Sequence, residues 1–186
     1  MNLQEMINDF SPSCEQELHD KRLMLNYIHL FSNILSRNNE TVHFTASAWI
    51  VNPSRTKVLM IYHNIYNSWS WTGGHADGDE NLLRVALREV QEETGLNLLT
   101  PVSELPISLE ILPVCAHFRK GKYVAPHLHL NLTYLLEADE NLPIRCNPAE
   151  NSAVAWFTPE DAVTASTEPD MQVIYKKLNN WIKLKI

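Results

Sequence analysis

Residues 74–96, GHADGDENLLRVALREVQEETGL, are the stretch on which the reading of this chain turns. Leu83, Ala86, Leu87 and Val90 recur at i, i+3, i+4 and i+7, which predicts a helix over about 80–93 with that face packed inward. Gly95 suits the left-handed residue that ends such a helix. Asp77 and Asp79 suit its start, where acidic side chains meet free backbone N–H groups. Four of the chain's five glycines, Gly73, Gly74, Gly78 and Gly95, fall in or beside this stretch.

The far end of the helix breaks local rules. Glu89, Glu92 and Glu93 are related by i+3 and i+4, so three carboxylates share a patch centred roughly 120° from the apolar stripe. Like charges at these spacings cost ~0.2–0.5 kcal/mol per pair, and the dipole adds ~0.3–1 kcal/mol for each acid in the last turn. Arg88 reaches Glu92 at i+4, but one guanidinium does not neutralise three acids. Mg²⁺ or Mn²⁺ does, since either takes oxygen ligands and fills its remaining positions with water and substrate phosphate. A rule broken inside an otherwise consistent helix is where function is expected.

The composition agrees. The chain has 186 residues, 45% of them apolar, and a net charge of −7 from 15 basic and 22 acidic residues. That length and balance describe one globular domain, with room for an appendage. No apolar run reaches the ~18 residues of a membrane span, and charges interrupt the first ten residues where a leader would be apolar. Cys14, Cys115 and Cys146 are odd in number and widely spaced, which fits a reducing cytoplasm and neither a disulfide framework nor a cysteine zinc site. With no basic stripe, the chain is not expected to bind polymeric nucleic acid. A phosphorylated ligand therefore needs a cation between itself and the protein.

Around this centre the periodicity alternates. Residues 1–40 read as helical, with Leu3, Met6, Ile7 and Phe10 on one face, then Leu18, Met24, Leu25, Ile28, Phe31, Ile34 and Leu35 on another. From Val42 the period becomes two, and a turn at Asn52-Pro53-Ser54 predicts a hairpin with residues 57–63. Further strands are expected at about 107–118, 123–136 and 153–157, then a polar turn and a final helix from about Asp170. Such interleaving indicates an α/β sandwich with a mixed or antiparallel sheet behind a helical extension.

The quoted stretch resembles the Nudix signature, G-x5-E-x7-R-E-U-x-E-E-x-G-U with U aliphatic, and all nine defined positions match. Chance produces such a match on the order of once in 10⁸–10⁹ windows. Trp69-Ser70-Trp71 and Ala155-Trp156-Phe157 extend the likeness to about residues 42–165. The resemblance implies a Nudix-type α/β/α sandwich over residues 41–186, with residues 1–40 as a helical extension. It also implies Mg²⁺- or Mn²⁺-dependent hydrolysis of a nucleoside diphosphate linked to another group X, as a cytoplasmic pyrophosphohydrolase. By position, Glu89, Glu92 and Glu93 are the implied metal carboxylates, Glu80 an outlying acid supporting them and Gly74 the glycine whose carbonyl faces the metal. Arg88 is the implied residue orienting a glutamate. Thr72 departs from the family, standing where many members carry proline, and implies a looser entry to the loop. Glu92, Glu93 or Glu150 is available to take the proton from the attacking water.

Other residues have weaker claims. His75, His127 and His129, with His63 near, are candidates for lining the substrate, and the two neighbouring imidazoles on the 123–136 strand are alternatively ligands to a softer metal such as zinc. Trp69 and Trp71 are the best placed of the aromatic candidates Trp49, Tyr62, Trp69, Trp71 and Trp156 for stacking on a base. Arg119, Lys120 and Lys122 form a basic tip, and Cys115 reads as buried and inert. Residues 1–40 are open to three roles: covering an apolar edge, pairing two chains as a homodimer, or shaping the substrate mouth. Two other functions remain in play, a nucleotide sensor without turnover and an enzyme like the isopentenyl diphosphate isomerases. The identity of X is not legible.

Overall fold

The chain is described here by a computed structural model covering residues 2–119 and 121–184. Two helices open it, α1 (Leu3–Asp9) and α2 (Glu15–Leu30). Strands β1 (Val42–Val51), β2 (Val58–His63), β3 (Ser68–Ser70) and β4 (Thr72–His75) lead to the box helix α3 (Leu82–Thr94). Then come β5 (Thr100–Pro101), β6 (Ser108–Val114), the small hairpin β7 (His117–Arg119) and β8 (Lys122–Val124), and the long strand β9 (His127–Glu137). Strand β10 (Asn151–Phe157) and helices α4 (Pro159–Ala165) and α5 (Pro169–Leu184) close the fold.

Strand β1 organises the sheet. It pairs in parallel with β9 from Val42 opposite Leu128 to Val51 opposite Glu137. Its other edge divides, so β4 pairs antiparallel with Thr45–Ala48 and β2 with Ile50 and Val51. Every residue of β1 is buried, as expected of a central strand covered on both faces. Alternation sends Phe44, Ala46, Ala48 and Ile50 into one core with Val85, Ala86 and Val90 of α3 and with Ile7 and Met24 of the first helices. Trp49 and Val51 enter a second core with Tyr175, Leu178 and Ile182 of α5. The result is the expected α/β/α sandwich, with a mixed sheet between two helical layers.

Several local expectations are corrected. Helix α2 stops at Leu30, not Leu35, because the next turn uses its backbone elsewhere. Phe44 N donates to Ile34 O, and Gly78 N to Leu35 O, so this segment ties β1 and the box loop together. The expected strand at 107–118 breaks at Cys115-Ala116, and Cys115 is exposed, not buried. The polar turn after β10 contains helix α4. Its signal was present: Thr158 caps it by accepting from Asp161 N, and Pro159 occupies the first helical position, where its missing N–H costs nothing. Thr72 is fully buried and paired with Ala48, so the loop entry is a strand and is not loose.

Candidate active site

Helix α3 is capped by Asn81, whose side chain accepts from Arg84 N, while Asp79 pairs with Arg84 and Asp77 with Arg37. Neither aspartate caps the helix directly. Gly95 ends it at φ 75°, as expected. The buried face is formed by Leu82, Val85, Ala86, Val90 and Glu93, rotated from the stripe that the apolar residues marked. That rotation takes two of the three glutamates inward.

Glu93 is 3% exposed, and its Oε2 accepts from Gly73 N at 3.0 Å. Glu89 lies against the next residue of the same strand. A Cβ on Gly74 would fall 2.3 Å from the Glu89 carboxyl carbon, so only glycine admits the carboxylate there. Arg88 Nη2 donates to Glu89 Oε1 at 2.8 Å and to His75 O at 3.1 Å, fastening helix to strand. Its Nε stands 3.9 Å from Glu92 Oε1, and Glu92 remains exposed. Glu150 comes from the loop before β10. Its charge acts on both Glu89 and Glu93, and the adjacent Asn151 donates from Nδ2 to Glu93 O at 2.9 Å, holding this loop on the end of α3.

Burial, opposed by the Gly73 N–H, pushes the Glu93 carboxyl up to about 9, with Glu89, Glu150 and Glu92 adding to the effect. Burial also raises Glu89, against the pull of Arg88. Glu89 and Glu93, brought beside the Gly73-Gly74 backbone, offer oxygen donors of the kind that suits a hard divalent cation. The residues present therefore fit the ion that the family implies.

A second group of titratable side chains sits across strand β4. Ring centroids of His43 and His75 are 5.1 Å apart, His43 and His129 4.9 Å, and His127 and His129 5.0 Å. Burial, then the neighbouring imidazoles, hold His129 down to about 2, and burial lowers His43 as well.

The structure brings Glu89, Glu92, Glu93, Gly74, Arg88 and Glu150 to one place, and His75, His127 and His129 to another. Other expected residues lie elsewhere. Trp71 is buried in the second core, and its backbone N–H donates to the Tyr175 hydroxyl. Trp69 packs edge-on to Phe157 with ring centroids 4.8 Å apart. Both therefore support α4 and α5, on the sheet face opposite the carboxylates, because alternation along β3 and the β3–β4 link turns them that way. Glu80 is exposed, in the loop just before α3. His63 packs at a tilt against Tyr66, with ring centroids 4.5 Å apart. Lys122 is exposed on the β7–β8 hairpin, and Lys120 lies outside the described residues.

Three site residues went unread in the sequence. Arg37 pairs with Asp77 and feels the charges of Glu89 and Glu150, though it belongs to the N-terminal segment. Asn151 offered no signal beyond its place before a strand. His43 was visible only as a polar residue on an alternating strand.

A family model described as NUDIX domain matches residues 41–178. Among curated proteins, "m7GpppN-mRNA hydrolase NUDT17" of Homo sapiens is 31% identical over 144 residues, 74% of this chain and 40% of that protein. The Bos taurus protein of the same name is 33% identical over 144 residues, again 74% of this chain, and 43% of its own length. The chain thus spans about two fifths of the curated relatives it matches. Among solved structures, a C. elegans Ap4A hydrolase complex superposes with a TM-score of 0.56 at 20% identity, covering 75% of this chain and 97% of that one. The E. coli dihydroneopterin triphosphate pyrophosphohydrolase gives 0.55 at 16% identity, covering 72% and 92%. At those identities the structures establish a shared fold. The extent of the family match and relatives above 30% identity make this chain a member of the NUDIX domain family.

Proposed function

We propose that the chain is a Mg²⁺- or Mn²⁺-dependent pyrophosphohydrolase acting on a soluble nucleoside diphosphate joined to a further group X. The observation that carries this reading is the pair of carboxylates, half-buried Glu89 and buried Glu93, seated on the Gly73-Gly74 strand, where the more exposed Arg88 pairs with Glu89 and a backbone N–H meets Glu93. Glu89, Glu93, Glu92 and the Gly74 carbonyl would hold the ion. When bound, it supplies charge neutralisation at the phosphoryl oxygens and a lowered pKa for water.

The chain's own residues divide the remaining work. Arg88 keeps Glu89 in place and, through His75 O, keeps the strand beside it. Glu150 accepts the proton of the attacking water on a carboxylate oxygen. The water oxygen bonds to phosphorus as the anhydride P–O bond breaks, and the second phosphate leaves. Arg37, paired with Asp77 at the rim, meets the anionic substrate as it enters. The curated relatives' printed name, m7GpppN-mRNA hydrolase, supports a nucleotide anhydride as the substrate class.

A hydrolysis screen tests this. It covers ADP-ribose, sugar nucleotides, dinucleoside polyphosphates, an m7GpppN cap dinucleotide and oxidised nucleoside triphosphates, each with Mg²⁺ and with EDTA. Product that forms in Mg²⁺ and disappears in EDTA supports the proposal. Tight nucleotide binding with no product from any compound overturns it in favour of a sensor. Two further outcomes follow. Glu150→Gln is expected to reduce kcat by about 10²-fold with the fold intact by circular dichroism. An unchanged kcat removes Glu150 as the base. Gly74→Ala is expected to displace Glu89 and weaken Mg²⁺ binding at least tenfold by calorimetry, with the fold intact by circular dichroism.

A further inference from the structure

His43, His75 and His129 each bring a ligating atom within 4.8 Å of the others. His127 lies beside this group of three, its Nε2 within hydrogen-bond distance of His129 Nε2 at 3.1 Å and its ring 5.0 Å from that of His43. The strand register explains the meeting. His43 lies opposite His129 across the parallel β1–β9 pair, and Thr45 lies opposite His75 across β1 and β4. Residues two apart on a strand share a face, so all four imidazoles stand on the face that Trp49 shares with Tyr175 of α5. Glu89 lies over Gly74 on the other face, with the strand backbone between the two groups.

Hydrogen bonding fixes which nitrogens point inward. A backbone carbonyl only accepts, so His43 Nδ1–H donates to Asn39 O at 2.9 Å and His127 Nδ1–H to Ala125 O at 2.9 Å. Each neutral ring is left with an Nε2 lone pair. His43 is 3% exposed, and its Nε2 has no hydrogen-bond partner among the described residues. A buried polar atom left that way is costly unless something supplies the missing contact. A carbonyl anchor on one nitrogen, with the other turned to a shared centre, is the arrangement that orients metal-binding histidines. The spacing agrees as well. With Zn–N bonds of ~2.0–2.1 Å, the nitrogens of a tetrahedral site stand about 3.3 Å apart, close to the 3.1 Å between His127 and His129.

We propose that His43, His75, His127 and His129 form a nitrogen-ligand site for Zn²⁺ or a similar borderline transition metal, separate from the carboxylate site. Imidazole donors select such ions over Mg²⁺, and four donors from the chain leave no open position. The role is therefore structural. The ion joins the starts of β1 and β9 to His75, and so pins the Gly73-Gly74 strand from the side opposite α3. This inference stands apart from the hydrolase reading and does not depend on it.

The test uses the tag-free 186-residue chain, stripped with a chelator and titrated with Zn²⁺ or Co²⁺ in excess Mg²⁺. One equivalent of zinc is expected to survive gel filtration, and Co²⁺ is expected to give the intense visible bands of a four-coordinate ion. His127→Asn, half-buried at a strand end, and His129→Asn are each expected to weaken zinc at least tenfold, whereas Glu92→Gln leaves its affinity unchanged. Circular dichroism confirms that each variant folds, and the stoichiometry of the unmodified chain decides the matter if one does not. Loss of zinc during filtration, a weak six-coordinate cobalt spectrum, or equal affinity in folded His127→Asn and the parent overturns the site.

Discussion

Glu93→Gln is expected to lower kcat by about 10³-fold while leaving the fold at least as stable in EDTA. The two halves of this outcome share a cause. Glu93 is buried with one N–H donor for its carboxylate, and burial already favours its uncharged form. Glutamine is uncharged and the same shape, and its side-chain carbonyl accepts from Gly73 N as the carboxylate does. What disappears is the negative charge available to a cation, and groups acting directly on the reacting atoms are worth about 10²–10⁴ in rate. Ordinary core damage moves both quantities downward together, so activity lost without stability lost separates a functional carboxylate from a structural one. The readouts are initial rates in Mg²⁺ and a thermal midpoint in EDTA. A variant that keeps more than a tenth of the parent's kcat sinks the assignment of Glu93.

The reach of the sequence can be measured on this same helix. Its existence, its glycine stop and its acidic cluster were legible because each depends on residues no more than about four apart. The depth of Glu93 was not. Leu83 and Leu87 are apolar yet only partly buried, while Leu82, Val85 and Glu93 are buried, because the sheet, not the helix's own composition, decides which side faces in. Trp71 failed for a related reason. Its proximity in sequence to Gly73 said nothing of the alternation that turns its ring toward Tyr175. The four histidines show the limit most plainly. His127 and His129 could be paired by their spacing, but His43 joins them only through a parallel register linking residues 86 apart in sequence number, which no local pattern encodes.

Strand β4 accordingly works on both sides. Toward α3 it has no side chains at Gly74, so a carboxylate can rest on its backbone. Toward α5 it carries His75 into a cluster of imidazoles. The Arg88 bond to His75 O ties one side to the other, so movement of this strand alters both groups at once. That coupling gives the N-terminal segment a part in the site, because Gly78 N bonds Leu35 O and Arg37 holds Asp77 at the loop tip.

The docking of that segment leads to the second large effect. Lys177→Met is expected to cost about 3–5 kcal/mol, because it strands two buried carboxylates. Lys177 Nζ lies 3.0 Å from Glu17 Oε1 and 2.9 Å from Glu110 Oε1, which are 1% and 2% exposed. Ser13 donates to Glu17 from its N–H and hydroxyl, and the Ser108 hydroxyl lies between the two acids, within hydrogen-bond distance of Glu17 Oε1 and Glu110 Oε1, with one proton to donate. One ammonium thus joins α2, β6 and α5. For a chain of this length the loss corresponds to a fall of roughly 10 °C in Tm. Adding Glu17→Gln and Glu110→Gln to Lys177→Met should recover most of it, since the stranded charge, not the missing lysine, is what destabilises. The pH dependence has a definite sign. Burial by itself would raise the Glu17 carboxyl, but the Ser13 N–H and Lys177 together hold it below the usual 4.5. A carboxyl lowered on folding stabilises above its unfolded value and loses that contribution as pH falls through the folded one. The parent should therefore lose stability steeply below about pH 4.5, and the triple variant should lose less. Equal Tm values for Lys177→Met and the parent at neutral pH would mean that water reaches both carboxylates and that α2 is held by its apolar contacts alone.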